Sequence, residues 1–488
     1  MGEIKGQTIS GIKWSAIERF SIQGITFVIG LIMARLLSPS DYGIIGMLGI
    51  FIAVAQTFID SGFGNALVRK IDRTEYDLNT VFYFNIVVSF VCYGILFLIA
   101  PSVAVFFHQE ILRDVLRVIA INLVIQSFNS VQFALFEIKV DFKTIAKCSL
   151  ASSLISGIFG VTLAYLGFGV WALVYQQICA TVIRTIAVWF FSNWRPKWMY
   201  SWASFRTLFS YGSKLLASGL LHTIYVNMTT LFIGKFYTPK SLGFYSRGDQ
   251  LPALFCSNST GILQRVTFPI FAKLQNDDAK LIGVYRKYVC ITSMVIFFLL
   301  FLLFAISRPL ILFLLGAKWE PAVIFCQIIC FAWMFDHVCI INLNLLQIKG
   351  RSDLFLRLEI IKKTISFAIL CAAVPFGVMA ICISRVIYGQ IAVYINTFYT
   401  GRIFGVGYVA QFKDFGRYIV YSAVAVAPAF LLSLAGWPNI VVLAIGSIIS
   451  VLVYVGILKI VGDSCWNEIQ EMAIKRFPRL SFLGVMQK

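Results

Sequence analysis

The chain carries one ten-residue stretch in two versions: Ala-Arg-Leu-Leu-Ser-Pro-Ser-Asp-Tyr-Gly at residues 34–43 and Gly-Lys-Phe-Tyr-Thr-Pro-Lys-Ser-Leu-Gly at residues 234–243. Small, basic, apolar, hydroxyl, proline and glycine positions coincide between the two copies. Each copy also ends a long apolar segment with a turn at proline. A match between two stretches 200 residues apart indicates an internal repeat, and the repeat predicts how the rest of the chain is organised.

Two further matches extend the repeat. Gly-Phe-Gly-Val-Trp-Ala-Leu at 167–173 corresponds to Pro-Phe-Gly-Val-Met-Ala-Ile at 375–381, and Glu-Ile-Lys at 137–139 corresponds to Gln-Ile-Lys at 347–349. We therefore expect two copies of one six-helix unit. Because six is even, both copies insert in the same orientation and face each other across a central cavity. The predicted lobes are 1–200 and 201–411, and residues 412–488 add two helices and a cytoplasmic tail.

The composition indicates an integral membrane protein. Of its residues 59% are hydrophobic and only 13% are charged, whereas soluble domains carry about 25% charged residues. The apolar residues fall into about fourteen segments long enough to cross a bilayer. We therefore predict an all-α membrane protein of about 14 transmembrane helices. The predicted spans are 12–36, 42–64, 79–105, 112–136, 146–166, 169–191, 207–234, 242–271, 284–307, 321–346, 355–376, 378–400, 416–436 and 438–460.

Loop charge sets the predicted orientation. The chain has 41 Lys and Arg against 22 Asp and Glu, a net charge of +19. With the N-terminus inside, the inner segments hold about 27 of the basic residues and the outer segments about 7. Basic loops stay on the cytoplasmic side, so we expect both termini in the cytoplasm. The same reasoning explains the positive charge without a nucleic-acid partner.

The first apolar segment contains Glu18 and Arg19 and lacks the features of a cleavable signal peptide.

Four stretches of the sequence resemble corresponding stretches in one known family of membrane proteins. They are Gly-Ile-Lys-Trp at 11–14, the stretch at 34–43, Asp-Ser-Gly-Phe-Gly-Asn-Ala-Leu-Val at 60–68, and the passage 205–271. The chain resembles bacterial polysaccharide-export flippases of the multidrug/oligosaccharidyl-lipid/polysaccharide (MOP) exporter superfamily. The resemblance implies translocation of undecaprenyl-pyrophosphate-linked oligosaccharide, such as O-antigen, capsule or exopolysaccharide units. It also implies alternating access in the bacterial inner membrane. Lipid-linked oligosaccharide, membrane lipid and proteins of polysaccharide assembly would be the partners.

Polar stripes in the first, seventh and eighth spans supply the candidates for substrate binding. Charged side chains inside spans are costly unless they face a cavity or a partner. The stripes contain Glu18, Arg19, Gln23, Lys214, His222, Arg247 and Arg265. Arg19 and Lys214 are the predicted pyrophosphate contacts. Each has an alternative: Glu18 and Arg19 as structural pairs near the inner surface, Lys214 as a snorkelling side chain, Arg247 and Arg265 as interfacial anchors.

Asp60, Asp336 and His337 are the candidates for ion coupling, because buried carboxylates can bind cations. The alternatives are a helix cap or a structural pair at Asp60, and a pair that bridges helices at Asp336–His337. No metal or cofactor is expected: Cys326 and Cys330 share a helix face, but no second ligand pair accompanies them.

Two other functions compete with a flippase. A multidrug exporter of the same superfamily would use a smaller, less cationic cavity. A membrane glycan polymerase or ligase would need a sizeable outer loop, and none of the usual catalytic motifs occurs. We therefore expect a transporter and not an enzyme.

Overall fold

The structure, a computed structural model, describes residues 21–60 and 63–476. Within these residues it consists of α-helices and contains no β-strand. The helices are α1 Ser21–Leu36, α2 Pro39–Asp60, α3 Phe63–Arg69, α4 Glu75–Phe107, α5 Ile111–Ile119, α6 Ile121–Ser127, α7 Ser130–Ile138, α8 Phe142–Tyr165, α9 Val170–Phe191, α10 Trp202–Phe236, α11 Pro239–Lys273, α12 Asp278–Leu315, α13 Ala322–Trp333, α14 Asp336–Ile348, α15 Ser352–Ala373, α16 Val378–Phe404, α17 Tyr408–Leu434, α18 Asn439–Val441, α19 Ser447–Ile460 and α20 Ser464–Arg476.

The predicted all-helical membrane class is confirmed. In the described chain, 10 helices are long and apolar enough to cross a bilayer, and the bent run α5–α7 makes up to 11. The remaining three predicted spans correspond to α1, of which only Ser21–Leu36 is described, and to α11 and α15, which are long enough but not apolar enough to be counted among the ten. The exact count of fourteen therefore stays a prediction. Connections are short, as expected: residues 192–201, between α9 and α10, form the longest one in the described chain.

The predicted turns have the expected chemistry. Gly167 and Gly169 have φ of 83° and 55° between α8 and α9, and Gly377 has φ of 103° before α16. Only glycine adopts such angles without strain, so the two corresponding glycine turns of the repeat both end a helix. At the start of α4 the hydroxyl of Thr74 and the carboxylate of Asp77 form a capping box. Lys70 pairs with Asp77 at 2.7 Å.

By packing, the chain divides into two compact units after Gly243. In the first unit α2 packs along α10, α8 packs along α9, and α4 packs against α5. In the second unit α12 packs along α17 and α13 packs along α16. Helices α17 and α19 also pack together within the second unit. The predicted lobe boundaries near residues 200 and 411 remain predictions.

Two matching turns of the repeat touch each other inside the first unit. A Cβ added at Gly43 would lie 1.7 Å from the carbonyl oxygen of Pro239, and one added at Gly243 would lie 1.9 Å from that of Pro39. The start of α2 and the start of α11 thus meet backbone to backbone in a reciprocal pair of contacts. We call these four residues the glycine–proline contact. Only glycine permits so close an approach.

The contact continues along α2 and α10. A Cβ on Gly234 would lie 3.0 Å from Cγ of Met47, and the hydroxyls of Thr57 and Thr223 are 3.0 Å apart. Small residues at a helix interface let the backbones approach closely, which is the usual means of tight packing within a membrane. The helix that follows the first repeated stretch is therefore tightly packed against the helix that precedes the second.

Candidate functional site

The predicted substrate-binding residues fall into three groups. Glu18 and Arg19 lie outside the described residues. Lys214 and Arg265 belong to α10 and α11, but their side chains lie outside the described part of the structure. The other three are described: Gln23 is half-buried on α1, His222 is exposed on α10, and Arg247 lies on α11.

Arg247 has local partners. Its guanidinium donates a 2.5 Å hydrogen bond to Oε1 of Gln250 and lies 5.9 Å from the ring centroid of Trp319. An arginine beside an aromatic ring is held in place by a cation–π contact. This arrangement agrees with an anchoring role and leaves its part in substrate binding a prediction.

The first unit contains a polar cavity of about 400 Å³. It lies where the predicted fourth span is broken: α6 ends at Ser127, α7 begins at Ser130, and the run bends by 44°. Four parts of the chain meet here: the end of α2, the middle of α4, the break itself, and α9. The polar cavity is lined by Gln56, Asp60, Asn85, Gln126, Asn129, Ser130, Glu137, Thr181 and Arg184, with small and apolar residues between them.

Side chains satisfy the backbone where the helix breaks. The indole nitrogen of Trp189 donates to the carbonyl oxygen of Phe128 at 3.1 Å, and the hydroxyl of Ser130 donates to the carbonyl oxygen of Ser127 at 3.1 Å. Within a bilayer, non-helical backbone is tolerated where neighbouring groups or a polar cavity satisfy it. Broken spans of this kind are typical places for ligand sites in transporters.

The floor and the rim of the polar cavity differ in burial. Asn85 and Asn129 form the floor and are 2% and 1% exposed. Asp60, Gln126 and Glu137 form the rim and are exposed. Asn85 lies ten residues into α4, about 15 Å along the helix axis. The cavity therefore extends from the end of α2 to a point about 15 Å along α4.

Asp60 stands at this rim with one partner in the cavity. Nε2 of Gln56, one turn earlier on α2, donates to its Oδ1 at 2.9 Å. The structure thus brings one predicted ion-coupling residue together with polar groups from α4, α7 and α9. Sequence reasoning identified Asp60, but it missed Asn85, Glu137 and Arg184 as site residues. The available signal was a lone polar side chain within an apolar span.

The other predicted ion-coupling residues, Asp336 and His337, lie in the second unit. They begin α14, at the break between α13 and α14 that corresponds to the break between α6 and α7. His337 is 1% exposed; its Nε2 lies 2.8 Å from the hydroxyl of Ser293, and its ring packs edge-on against Phe297. Asp336 is half-buried. The surroundings of His337 are those of a packed core side chain, so a role of this pair in coupling stays a prediction.

A second polar group in this unit was not predicted. Arg385 on α16 donates to the carboxylate of Asp249 on α11 at 3.0 Å and to the hydroxyl of Tyr245 at 2.6 Å. The indole nitrogen of Trp333 also donates to Asp249 at 2.9 Å. The pair bridges three helices and is internally satisfied, which is how a membrane interior accommodates charge. We interpret it as a structural link within the second unit.

The chain is similar in sequence to two proteins of polysaccharide synthesis. The chain is 25% identical over 356 residues to the teichuronic acid biosynthesis protein TuaB of Bacillus subtilis, covering 72% of this chain and 74% of that protein. It is 24% identical over 383 residues to the lipopolysaccharide biosynthesis protein WzxC of Escherichia coli, covering 77% and 76%.

Among solved structures, the chain is similar to the lipid II flippase MurJ in an inward closed conformation. The TM-score is 0.71 at 13% identity, over 90% of this chain and 97% of that one. It is also similar to an inward-facing multidrug resistance MATE family transporter of the MOP superfamily, with a TM-score of 0.60 at 15% identity, over 80% and 97%. These likenesses establish the fold. The family described as "Polysaccharide biosynthesis protein" matches residues 32–324, more than half of the length, and the chain therefore belongs to that family.

Proposed function

We propose that this protein moves lipid-linked oligosaccharide units from the inner to the outer leaflet of a bacterial inner membrane. The observation that carries the proposal is membership of the polysaccharide biosynthesis family over residues 32–324. The names of TuaB and WzxC place those relatives in the synthesis of teichuronic acid and lipopolysaccharide. The transporter fold supports a role in carriage, because units linked to a lipid inside the cell must cross the bilayer before they are used outside.

Short connections favour transport over sugar chemistry. Among the described residues the longest connection, 192–201, is too short to fold as an independent domain. A membrane polymerase or ligase must hold an acceptor sugar outside the bilayer, and the described loops offer little surface for it. The same short loops suit a carrier whose substrate stays between helices.

The glycine–proline contact supports alternating access. It lies in turns that the loop charges predict to be outside, and it is close enough that the two helix starts must separate before anything passes between them. We infer that this contact closes the outer end of the path in the conformation described. Release to the outer leaflet would require Pro39 and Pro239 to move apart from the opposing glycines.

The basic residues predicted in the first and seventh spans support a pyrophosphate headgroup as the polar part of the substrate. We propose that Arg19 and Lys214 contact it, with Glu18, Gln23, His222, Arg247 and Arg265 as further polar contacts. Arginine offers phosphate a planar, two-pronged donor and lysine a mobile point charge. A multidrug exporter of the same superfamily remains the alternative, and it would not require cations at both Arg19 and Lys214.

The cell offers a direct test. Loss of the protein should stop surface polysaccharide while single lipid-linked units accumulate in the inner leaflet, where an impermeant sugar-modifying reagent cannot reach them in intact cells. Restoring the gene should reverse both effects. If single units accumulate in the outer leaflet instead, the missing step is polymerisation, and the flippase assignment is wrong.

Orientation gives an independent prediction. In a variant without reactive native cysteines, single cysteines at Ser40 and Lys240 should react with an impermeant thiol reagent applied to intact cells. Cysteines at Arg73 and Lys197 should react only after the membrane is opened, because basic loops are retained inside. Reaction of the cysteine at Lys197 in intact cells would contradict the predicted topology.

A further inference from the structure

The first unit contains a second cavity, of about 610 Å³, between α2, α4 and α10. Every described residue that lines it is apolar, with Cys92 counted as a small hydrophobe. We call this cavity the apolar groove. Its walls include Phe51, Ala55 and Phe58 from α2, Val87, Val91 and Ile95 from α4, and Leu231 from α10.

The apolar groove is open along one side. Val87, Val91 and Ile95 follow one another at intervals of one helical turn, so they form a straight row on α4. All three are between 52% and 60% exposed, whereas Ala55 and Leu96 are buried and form the floor. Because α2 and α4 are both apolar enough to cross a bilayer, the open side of the groove faces hydrocarbon.

The length of the groove corresponds to one leaflet. Its lining on α4 runs from Val87 to Ile99, about 18 Å along the helix, and one leaflet contributes about half of a 30 Å hydrocarbon layer. The distance from Val87 to the end of α4 at Phe107, where polar residues follow, is also about 30 Å. A hydrocarbon layer that begins at Phe107 therefore ends near Val87, and the groove spans the leaflet on that side.

Aromatic and basic residues mark the same end of the groove. Tyr83, one turn before Val87, stacks on Trp198 with ring centroids 5.3 Å apart, and Trp198 is 93% exposed. The backbone N–H of Lys197 donates to Oδ1 of Asn79 at 2.6 Å, which fixes this connection along α4. Tyrosine and tryptophan favour the boundary between hydrocarbon and headgroups, and lysine binds phosphate. The loop charges predict that this end is the inner one.

The rim of the groove favours a lipid chain over a helix of a partner protein. Helices that pack together in a membrane use small residues at the contact, whereas the exposed rim here consists of Val87, Val91, Ile95 and Phe58. A groove about one leaflet long also suits the acyl chain of a phospholipid better than the much longer chain of a polyprenyl lipid.

We propose that the apolar groove holds one acyl chain of a phospholipid of the inner leaflet, with the headgroup beside Tyr83, Trp198 and Lys197. The chain fills the space between α2, α4 and α10. This site is distinct from the proposed pyrophosphate contacts, and it does not depend on the proposed function.

The test is photolabelling of the full-length protein in liposomes of phosphatidylethanolamine and phosphatidylglycerol. A small fraction of the phospholipid carries a diazirine in the middle of one acyl chain, and mass spectrometry locates the labelled residues. Val87, Val91 and Ile95 should collect about fivefold more label than Leu98 and Val105, which are more exposed on the same helix but lie outside the groove. Fivefold corresponds to about 1 kcal/mol in favour of the groove.

Val91→Trp should fill the groove and lower the labelling of Val87 and Ile95 about fivefold, to the level of open lipid. The matched control is Val105→Trp, the same change at an exposed valine of α4 outside the groove. It should leave the labelling of the groove unchanged. Val87→Trp, read at Val91 and Ile95, replaces Val91→Trp if that variant does not insert.

Three results would overturn the proposal. Label spread evenly over the exposed residues of α4 would make the groove ordinary lipid-facing surface. Unchanged labelling in an inserted Val91→Trp or Val87→Trp variant would place the labelled chain elsewhere. Displacement of the label by polyprenyl phosphate at a lower concentration than unlabelled phospholipid would assign the groove to an isoprenoid chain instead. Because labelling requires no transport, each of these results leaves the flippase proposal standing.

Discussion

Replacing Gly43 with alanine should reduce transport tenfold or more while the protein remains in the membrane at normal abundance. The added methyl would lie 1.7 Å from the carbonyl oxygen of Pro239, far inside van der Waals contact. The obstacle is backbone, which cannot rotate away as a side chain can. The variant should therefore disfavour the conformation described here and slow any cycle that passes through it. Gly243→Ala, against Pro39 at 1.9 Å, should act in the same way.

Gly49→Ala is the control for this prediction. Gly49 lies on the same helix, and a Cβ there meets no atom within 4 Å, so only the general effect of alanine in a helix remains. Export of polysaccharide and the amount of inserted protein should be measured side by side for all three variants. If Gly43→Ala and Gly243→Ala transport at the rate of Gly49→Ala, the glycine–proline contact does not close the path.

Removing the positive charges proposed to meet the pyrophosphate should have the second large effect. A charge-assisted contact to phosphate in a partly dehydrated cavity contributes about 1.5–3 kcal/mol, or roughly ten- to hundredfold in affinity. Arg19→Ala and Lys214→Ala should each lower export by about that factor at limiting substrate. Lys214→Arg should retain most of the activity, because charge matters more than shape at that position.

Glu18→Gln provides the comparison, since it changes the residue next to Arg19 without removing a positive charge. Its effect should be smaller than that of either alanine variant. Normal export by both Arg19→Ala and Lys214→Ala, in protein that is inserted and abundant, would exclude a cationic contact as the means of substrate binding.

Much of the fold could be predicted because its signals are local. A run of apolar residues ends at a proline or glycine turn, and each end is visible without knowledge of the rest of the chain. The turns at Gly167–Gly169 and at Gly377 are examples. The break between Ser127 and Ser130 was not predicted, because no proline or glycine marks it. Side chains distant in sequence, such as Trp189, satisfy its backbone instead.

The candidate site was less accessible to sequence reasoning. Asp60 and Gln56 are one turn apart on α2, so their contact follows from helical periodicity. Asn85, Ser130 and Arg184 come together only through the packing of α4, α7 and α9, and a single sequence does not record such proximity. The pairing of Asp249 with Arg385 has the same origin, since 136 residues separate them. The glycine–proline contact was predictable only in part. The repeat in the sequence identified the two stretches, but only the structure shows that they touch.

The most direct test of the central claim is the leaflet distribution of a lipid-linked oligosaccharide in liposomes that contain only this protein. An impermeant reagent that modifies sugars should reach the outer-leaflet share alone in empty liposomes, and nearly all of the substrate once the protein is present. Gly43→Ala liposomes should behave almost like empty ones, and mass spectrometry should find no new glycosidic bond. A protected inner share that persists with the wild-type protein, or a lengthened sugar chain, would contradict the account.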